Sequence, residues 1–392
     1  MAKARIANKI QSKVGALIYG EAFTGKSTLA SQFAYFKNPE TGKPFRVLYI
    51  DCENGSIDDM IDKFENDGID TRNIYIVYTQ SLGEVRDYIA KVKNHEDFYV
   101  LDDDGNETDE IVLDADGQPI RFDSIVVDGT SILCMSLKQS LIEFSQKRNA
   151  VKARQMGLVG DERLVKVSNA GLEIKDYATI NFKSQDLILD LMSCGVNYVV
   201  TAREANEKES VKDKDGKISS IDTGRKIPEG FKGLNYNVKT VIRTYLDEDG
   251  QVCAIVEKDR TGVHVANEII IDPTLLDWQS VIDKTANNEK FVVKNSLVES
   301  VEKEQDIYSR EVLGSAGKPV STIETSSETS PSSTNEVDDI KAQISAKQKS
   351  LNPMQKSKAK QALTDAGLPT ATKNIDDIET LKKYLDTISS IK

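Results

Sequence analysis

Residues 20–27, GEAFTGKS, combine two glycines, a lysine and a hydroxyl in the spacing GxxxxGK[ST]. That spacing suits a nucleoside triphosphate. Gly20 and Gly25 let backbone N–H groups turn inward at the start of a helix, where the aligned peptide dipoles favour anions. Lys26 is placed to reach the β- and γ-phosphates as a point charge, and the Ser27 hydroxyl to ligate Mg²⁺. The expected cradle is therefore Gly20, Glu21, Ala22, Phe23, Thr24, Gly25, Lys26, Ser27 and Thr28, with ATP and Mg²⁺ as its ligands. A magnesium shell needs a second anchor, and Asp128 supplies it at the end of the apolar run IVVD. The residue after Asp128 is Gly129, so the base that activates water must come from elsewhere. Glu53, closing VLYIDCE, is the candidate; the alternative is a helix-start carboxylate ahead of NGSIDD.

These residues need strands and helices to position them. Residues 14 to about 275 alternate strand-like and helix-like patterns, which predicts an α/β fold with a mostly parallel sheet. KVGALIYG, RVLYIDCE, NIYIVYT, SIVVDGTS and VNYVVTAR read as buried strands, and residues 27–36, 56–64 and 83–94 as helices. A further amphipathic helix, FKSQDLILDLMSCG, precedes the last of these strands. VKTVIRTYLDEDGQVCAIVEKDRTG alternates apolar and polar residues across a turn, which predicts a late antiparallel hairpin. Four acidic turns, LDDDGNE, LDADGQP, KDKDGKI and LDEDGQV, share an Asp-Gly pair. None has the alternating ligands and final glutamate of a calcium loop, so they read as hairpin turns. The first two lie in an acidic insertion, about 95–122, that decorates the core.

Composition narrows the class. With 39% hydrophobic residues in 392, most of the chain should fold and part should be solvated. A net charge of −12 argues against coating nucleic acid through bulk charge, so contacts would need local basic patches. Four dispersed cysteines and two histidines make a zinc site a poor expectation and reduced buried thiols a good one. No apolar run approaches a membrane span and the N-terminus lacks a signal-like apolar stretch, so a soluble cytoplasmic protein without membrane partners is expected. The expected domains are a basic segment 1–13, an ATPase core 14–290, a partly disordered linker 291–336 and a small helical tail 337–392.

The order of motifs resembles the RecA core. In that family a P-loop is followed by a strand ending in an acid that activates water, then a Walker B strand, then a strand whose tip senses the γ-phosphate. YIDCENG matches the second element and IVVDGTS the third. VVTAREAN offers Thr201 and Arg203 as sensors in place of an obvious amide or histidine. VEKDRTG is similar to the late basic hairpin end that enters a neighbouring subunit's site, which implies Lys258 and Arg260 as residues acting in trans. A surface hairpin with scattered charges is the alternative. Within the core, residues 176–204 resemble phage-encoded RecA-core ATPases, including the Sak-family single-strand annealing proteins.

That resemblance implies a homo-oligomer, ring or filament, acting on single-stranded DNA in phage recombination, annealing or replication. It also places the DNA path along loops after the fourth and fifth strands. The first, about 136–175, carries eight basic residues, among them Lys147, Arg148, Lys152 and Arg154, against Glu143, Asp161, Glu162 and Glu173. It could contact phosphates or be a solvated helix face. The second, EANEKESVKDKDGKISSIDTGRKIPEGFKG, mixes signs and is expected to be mobile. The tail has seven lysines between 341 and 373 against Asp365 alone, which fits a second DNA anchor or a dock for a single-strand-binding or replication protein. A DnaB-like helicase or other DNA motor is one alternative function. A nucleotide-gated DNA-binding switch with little turnover is another.

Overall fold

The structure, a computed structural model, describes residues 7, 9–102, 105–212, 218–288, 301–307 and 377–389, with positions 344, 347, 358, 362, 363 and 366. The chain divides into two units, 1–315 and 316–392. The first runs β1 (Gly15–Gly20), α1 (Lys26–Ser31), β2 (Val47–Asp51), α2 (Asp58–Asn66), β3 (Ile74–Tyr78) and α3 (Leu82–Asn94). It continues through the hairpin β4 (Tyr99–Leu101) and β5 (Glu107–Ile111) to β6 (Ser124–Asp128). Then come α4 (Thr130–Gln155), α5 (Gly160–Ser168), α6 (Ile174–Ser193), β7 (Asn197–Lys212), β8 (Ile218–Pro228) and α7 (Leu234–Asn237). β9 (Thr240–Leu246), β10 (Val252–Asp259), β11 (Glu268–Ile271) and α8 (Gln279–Asp283) close it.

The main sheet has the order β11-β10-β9-β1-β7-β6-β2-β3, with β8 paired to β7 off that path. β9, β1, β7, β6, β2 and β3 are mutually parallel, and β10 and β11 turn back antiparallel. Strands covered on both faces tolerate only apolar side chains, so β1, β2 and β6 read as continuous hydrophobic runs with no exposed position. Leu17, Tyr19, Leu48 and Ile50 face one core with Val85, Ile89, Leu187 and Leu191 from α3 and α6. Ala16, Ile18, Val47 and Tyr49 face the other, with Leu29, Phe33, Phe64 and Trp278. The two-residue period of the strands sorts the side chains between these layers. Because β7 lies between β1 and β6, the carboxyl ends of β1, β2 and β6 meet β7 at the level of Thr201 to Arg203, along one edge. That edge is where open α/β sheets bind ligands. This is the mostly parallel α/β sheet expected, late antiparallel hairpin included.

The acidic insertion forms the hairpin β4–β5, and bridge Leu113↔Pro119 closes the second of its turns. Gly105, Gly117 and Gly250 adopt φ of 79°, 72° and 78°, which explains the Asp-Gly pairs: only glycine enters that region without strain. The third of the four turns, at Gly216, lies outside the described residues.

Two expected loops are not loops. Residues 136–175 form most of α4, all of α5 and the start of α6. Between 130 and 155 there is no glycine or proline to break a helix, and strong helix formers fill it. Residues 204–212 extend β7, and residues 218–228 pair with them as β8 in a long antiparallel arm, with Glu204 opposite Pro228 and Lys212 opposite Ile218. All four cysteines are buried thiols. No helix among the described residues is long and apolar enough to cross a membrane.

In the second unit, the helix Ile378–Ser389 is capped by Asp377, whose carboxylate accepts from the Thr380 N–H at 2.9 Å. It buries Leu381, Tyr384 and Ile388 at helical spacing. Of the expected linker 291–336 only residues 301–307 are described, and nearly all of the lysine-rich stretch 341–373 lies outside the described residues.

Candidate nucleotide site

The cradle begins where β1 ends. Gly20 has no room for a side chain: a Cβ there would lie 2.2 Å from the Thr244 carbonyl oxygen on β9. Gly25 supplies the left-handed cap of α1 at φ 78°, and its carbonyl accepts from the Leu29 N–H at 2.8 Å. Thr24, buried, donates to the Glu21 carbonyl at 2.9 Å and shares a 2.7 Å hydrogen bond with Thr244. The loop is thus pinned to β9 from inside. Phe23 is the exception, a bulky residue at φ 62° with 94% of its surface exposed. The Lys26 ammonium donates to the Glu21 carbonyl at 2.5 Å across the loop. Its pKa is lowered by burial, against the opposing pull of Glu53 and then Asp128. Lys26 follows β1, whose last residue, Gly20, is level with Arg203 on β7.

Asp128 is 2% exposed at the end of β6. Its Oδ2 accepts from the Tyr49 hydroxyl and the Ser56 hydroxyl, each at 2.6 Å. Its Oδ1 accepts from the Thr201 hydroxyl, which in turn accepts from the Gly129 N–H at 2.8 Å. Burial and then the Asp128 charge push the Tyr49 hydroxyl well above its ordinary range, so it remains a donor. Ser27 and Asp128 together offer hard oxygen donors, the class that Mg²⁺ takes, and so fit that ion.

Glu53 follows β2 in a turn that Asp51 organises. The Asp51 carboxylate, fully buried, accepts from the N–H groups of Glu53 at 2.9 Å and of Gly55 and Ser56 at 2.8 Å. Glu53 lies against Gly129, where φ is 104° and a Cβ would come within 2.8 Å of Glu53 Cγ. Across it, Arg203 donates from Nε at 3.2 Å and Nη2 at 3.1 Å to Glu53 Oε1. Glu53, Asp128, Thr201 and Arg203 therefore meet beside the cradle that carries Lys26 after β1, from positions in or just after β2, β6 and β7. Sequence reasoning missed Tyr49, Ser56 and Asp51. An Asp three residues ahead of Asn54-Gly55 is a turn signal that pointed to the last, while nothing local marked the other two.

Next to the cradle, Glu204 is nine-tenths buried and more, at the root of the β7–β8 arm. It accepts from Arg243 at 2.7 Å and pairs with Lys226 at 3.0 Å. Burial raises its pKa, but the hydrogen bonds from Arg243 and Lys226 outweigh that and hold it below the ordinary value. Lys226 also approaches Glu21 at 3.8 Å, so the arm and the cradle share charges.

Lys258 and Arg260 are at the other end of the sheet. Asp259 is level with Thr240, and Thr240 with Ala16, whereas the cradle starts at Gly20, level with Thr244. Four strand steps separate the two levels, about 13 Å. Lys258 donates to three carbonyls of its own chain, Asn235 at 2.9 Å, Tyr236 at 3.0 Å and Val238 at 2.6 Å. Its pKa is lowered by burial and then by Arg260. Arg260 is exposed.

Of the residues considered for DNA, all four sit on α4. Arg148 pairs with Asp176 at 2.8 Å and Glu173 at 3.9 Å, and Lys152 with Glu173 at 3.9 Å. Those two tie α4 to the start of α6. Lys147 and Arg154 are exposed.

A family model described as an AAA domain, AAA_24, matches residues 12–297. No curated protein matches the sequence. Among solved structures, a KaiC-like protein from the hyperthermophilic archaeon Pyrococcus horikoshii OT3 is similar at 13% identity and a TM-score of 0.35, covering 68% of this chain and 99% of its own. With the matched segment spanning the whole sheet and every residue of the nucleotide site, the chain belongs to the AAA domain family of P-loop ATPases.

Proposed function

We propose that the protein hydrolyses ATP as a RecA-like domain and acts on single-stranded DNA in recombination, annealing or replication, with turnover coupled to assembly. The observation that carries hydrolysis is the meeting of Glu53, Arg203, Asp128 and Lys26 at the end of one loop-to-helix turn. Glu53 accepts the proton of the attacking water, and Lys26 neutralises the phosphates it cradles. Ser27 and Asp128 would hold Mg²⁺, which would offset the charge of the phosphates. Arg203 donates toward the γ-phosphate when it leaves Glu53, and Thr201 keeps Asp128 oriented. Arg260, exposed and remote from its own cradle, suits action on a neighbouring copy, where one arginine contributes about 10³–10⁵ in rate. Assembly into a ring or filament follows from a site completed in trans.

The DNA half of the proposal rests on the basic α4–α5 segment in an acidic chain and on its resemblance to phage-encoded annealing proteins. The test is ATP turnover by the full chain with and without single-stranded DNA. Strong stimulation supports the proposal. Duplex unwinding moves the protein to the helicases, and tight nucleotide binding without turnover makes it a switch.

A further inference from the structure

Asp128 is held unusually firmly for a residue expected to serve a metal shell. An ionised carboxylate offers about four acceptor directions. Three are filled by hydroxyls: Tyr49 and Ser56 on Oδ2, Thr201 on Oδ1. Each donor comes from a different element, so the carboxylate is fixed from three sides: β2, the turn after β2, and β7. Tyr49 is fully buried among apolar neighbours, where a phenol needs a partner for its hydroxyl, and Asp128 is that partner. Ser56 is placed by the same Asp51 carboxylate that places Glu53.

We propose that Tyr49, Ser56 and Thr201 are positioning residues that hold the Asp128 carboxylate with one acceptor direction open toward the water shell of a divalent cation on Ser27. This rests on the assignment of residues 20–28 to a nucleotide. Through the Asp51 turn, the device also ties the orientation of Asp128 to that of Glu53. Neither Tyr49 nor Ser56 touches the nucleotide; both act through Asp128. Removing such an outer hydrogen bond typically weakens metal affinity about 10–100-fold.

The experiment uses the full chain with ADP and Mn²⁺, read in two arms. ADP affinity in EDTA reports the cradle alone, and electron paramagnetic resonance of Mn²⁺ reports metal affinity with ADP bound. Y49F deletes one oxygen and keeps the buried ring. S56A deletes the hydroxyl, and S56T restores it. The proposal expects Y49F and S56A each to weaken Mn²⁺ about 10–100-fold with ADP affinity in EDTA unchanged, and S56T to behave as wild type. Wild-type Mn²⁺ affinity in both Y49F and S56A overturns it. So does an equal loss in both arms, which would mark a purely structural role. If Y49F does not fold, the S56A and S56T pair decides alone. A wild-type protein that binds no ADP in either arm overturns the nucleotide assignment itself.

Discussion

The Arg203 guanidinium donates twice to a single oxygen of Glu53, at 3.1 and 3.2 Å, bridging residues 150 positions apart in the chain. The candidate base and the candidate sensor are therefore one unit, and substitutions separate their tasks. Glu53→Gln should cut ATP turnover about 10²–10⁴-fold with nucleotide affinity kept. Arg203→Ala should cut it about 10²–10³-fold, because a donor to developing charge is lost. Arg203→Lys should recover only part, since an ammonium lacks the planar fork. Single-turnover kinetics with equilibrium nucleotide binding checks all three. Full activity in Arg203→Ala would remove Arg203 from the machinery.

Lys258 and Arg260, two positions apart, should fail in different ways. Lys258→Met leaves the carbonyls of Asn235, Tyr236 and Val238 without their shared donor, costing about 1–3 kcal/mol. A lowered melting temperature is the expected readout. Arg260→Ala should leave melting and nucleotide binding at wild-type values and abolish turnover. Mixing Arg260→Ala with Glu53→Gln should restore some turnover, because a mixed assembly contains sites with both groups intact. No recovery on mixing, with Arg260→Ala active alone, would exclude action in trans.

On α4, exposed and paired charges predict opposite effects. Replacing Lys147 and Arg154 together by alanine should weaken single-stranded DNA binding and reduce its logarithmic salt slope by about 1.4, two phosphate contacts' worth. Stability should not change. Arg148→Ala should instead lower the melting temperature, because Asp176, 4% exposed, loses its main partner. Fluorescence anisotropy across a salt series, beside thermal melts, distinguishes them. An unchanged salt slope in the double variant would move DNA off this helix.

Acid should loosen the root of the β7–β8 arm. Arg243 and Lys226 depress the Glu204 pKa below its unfolded value, near 4.3, despite burial. A depressed carboxylate stabilises the fold above its unfolded pKa, and that contribution is lost as pH falls through its folded pKa. Melting temperature should therefore fall below about pH 4, and Glu204→Gln should flatten that limb while lowering stability at pH 7. An acid limb as steep in the variant as in wild type would assign the effect to other carboxylates.

Much of the site was legible because its parts are local. The cradle is eight consecutive residues whose glycines, lysine and serine state their chemistry by spacing alone. Asp128 was found because it ends a continuous apolar run, and Glu53 because it stands two residues past the end of β2. Both mark where a strand buried on both faces gives way to a place for charge. The late hairpin showed itself through alternation and an Asp-Gly turn.

What the chain order hides, the sheet order decides. Thr201 reaches Asp128 across 73 positions, and Arg203 reaches Glu53 across 150, only because β7 inserts between β1 and β6. The same topology sends Lys258 to the carbonyls after α7 and puts Arg260 a sheet's length from its own cradle. Helix α4 was expected as a loop although its residues favour helix, and its pairing with Asp176 and Glu173 comes from a distant element. Covalent spacing alone determined the phosphate cradle and the runs that become strands. Which carboxylate meets which donor was settled by non-local strand pairing, since a strand's neighbours depend on the packing of the whole sheet.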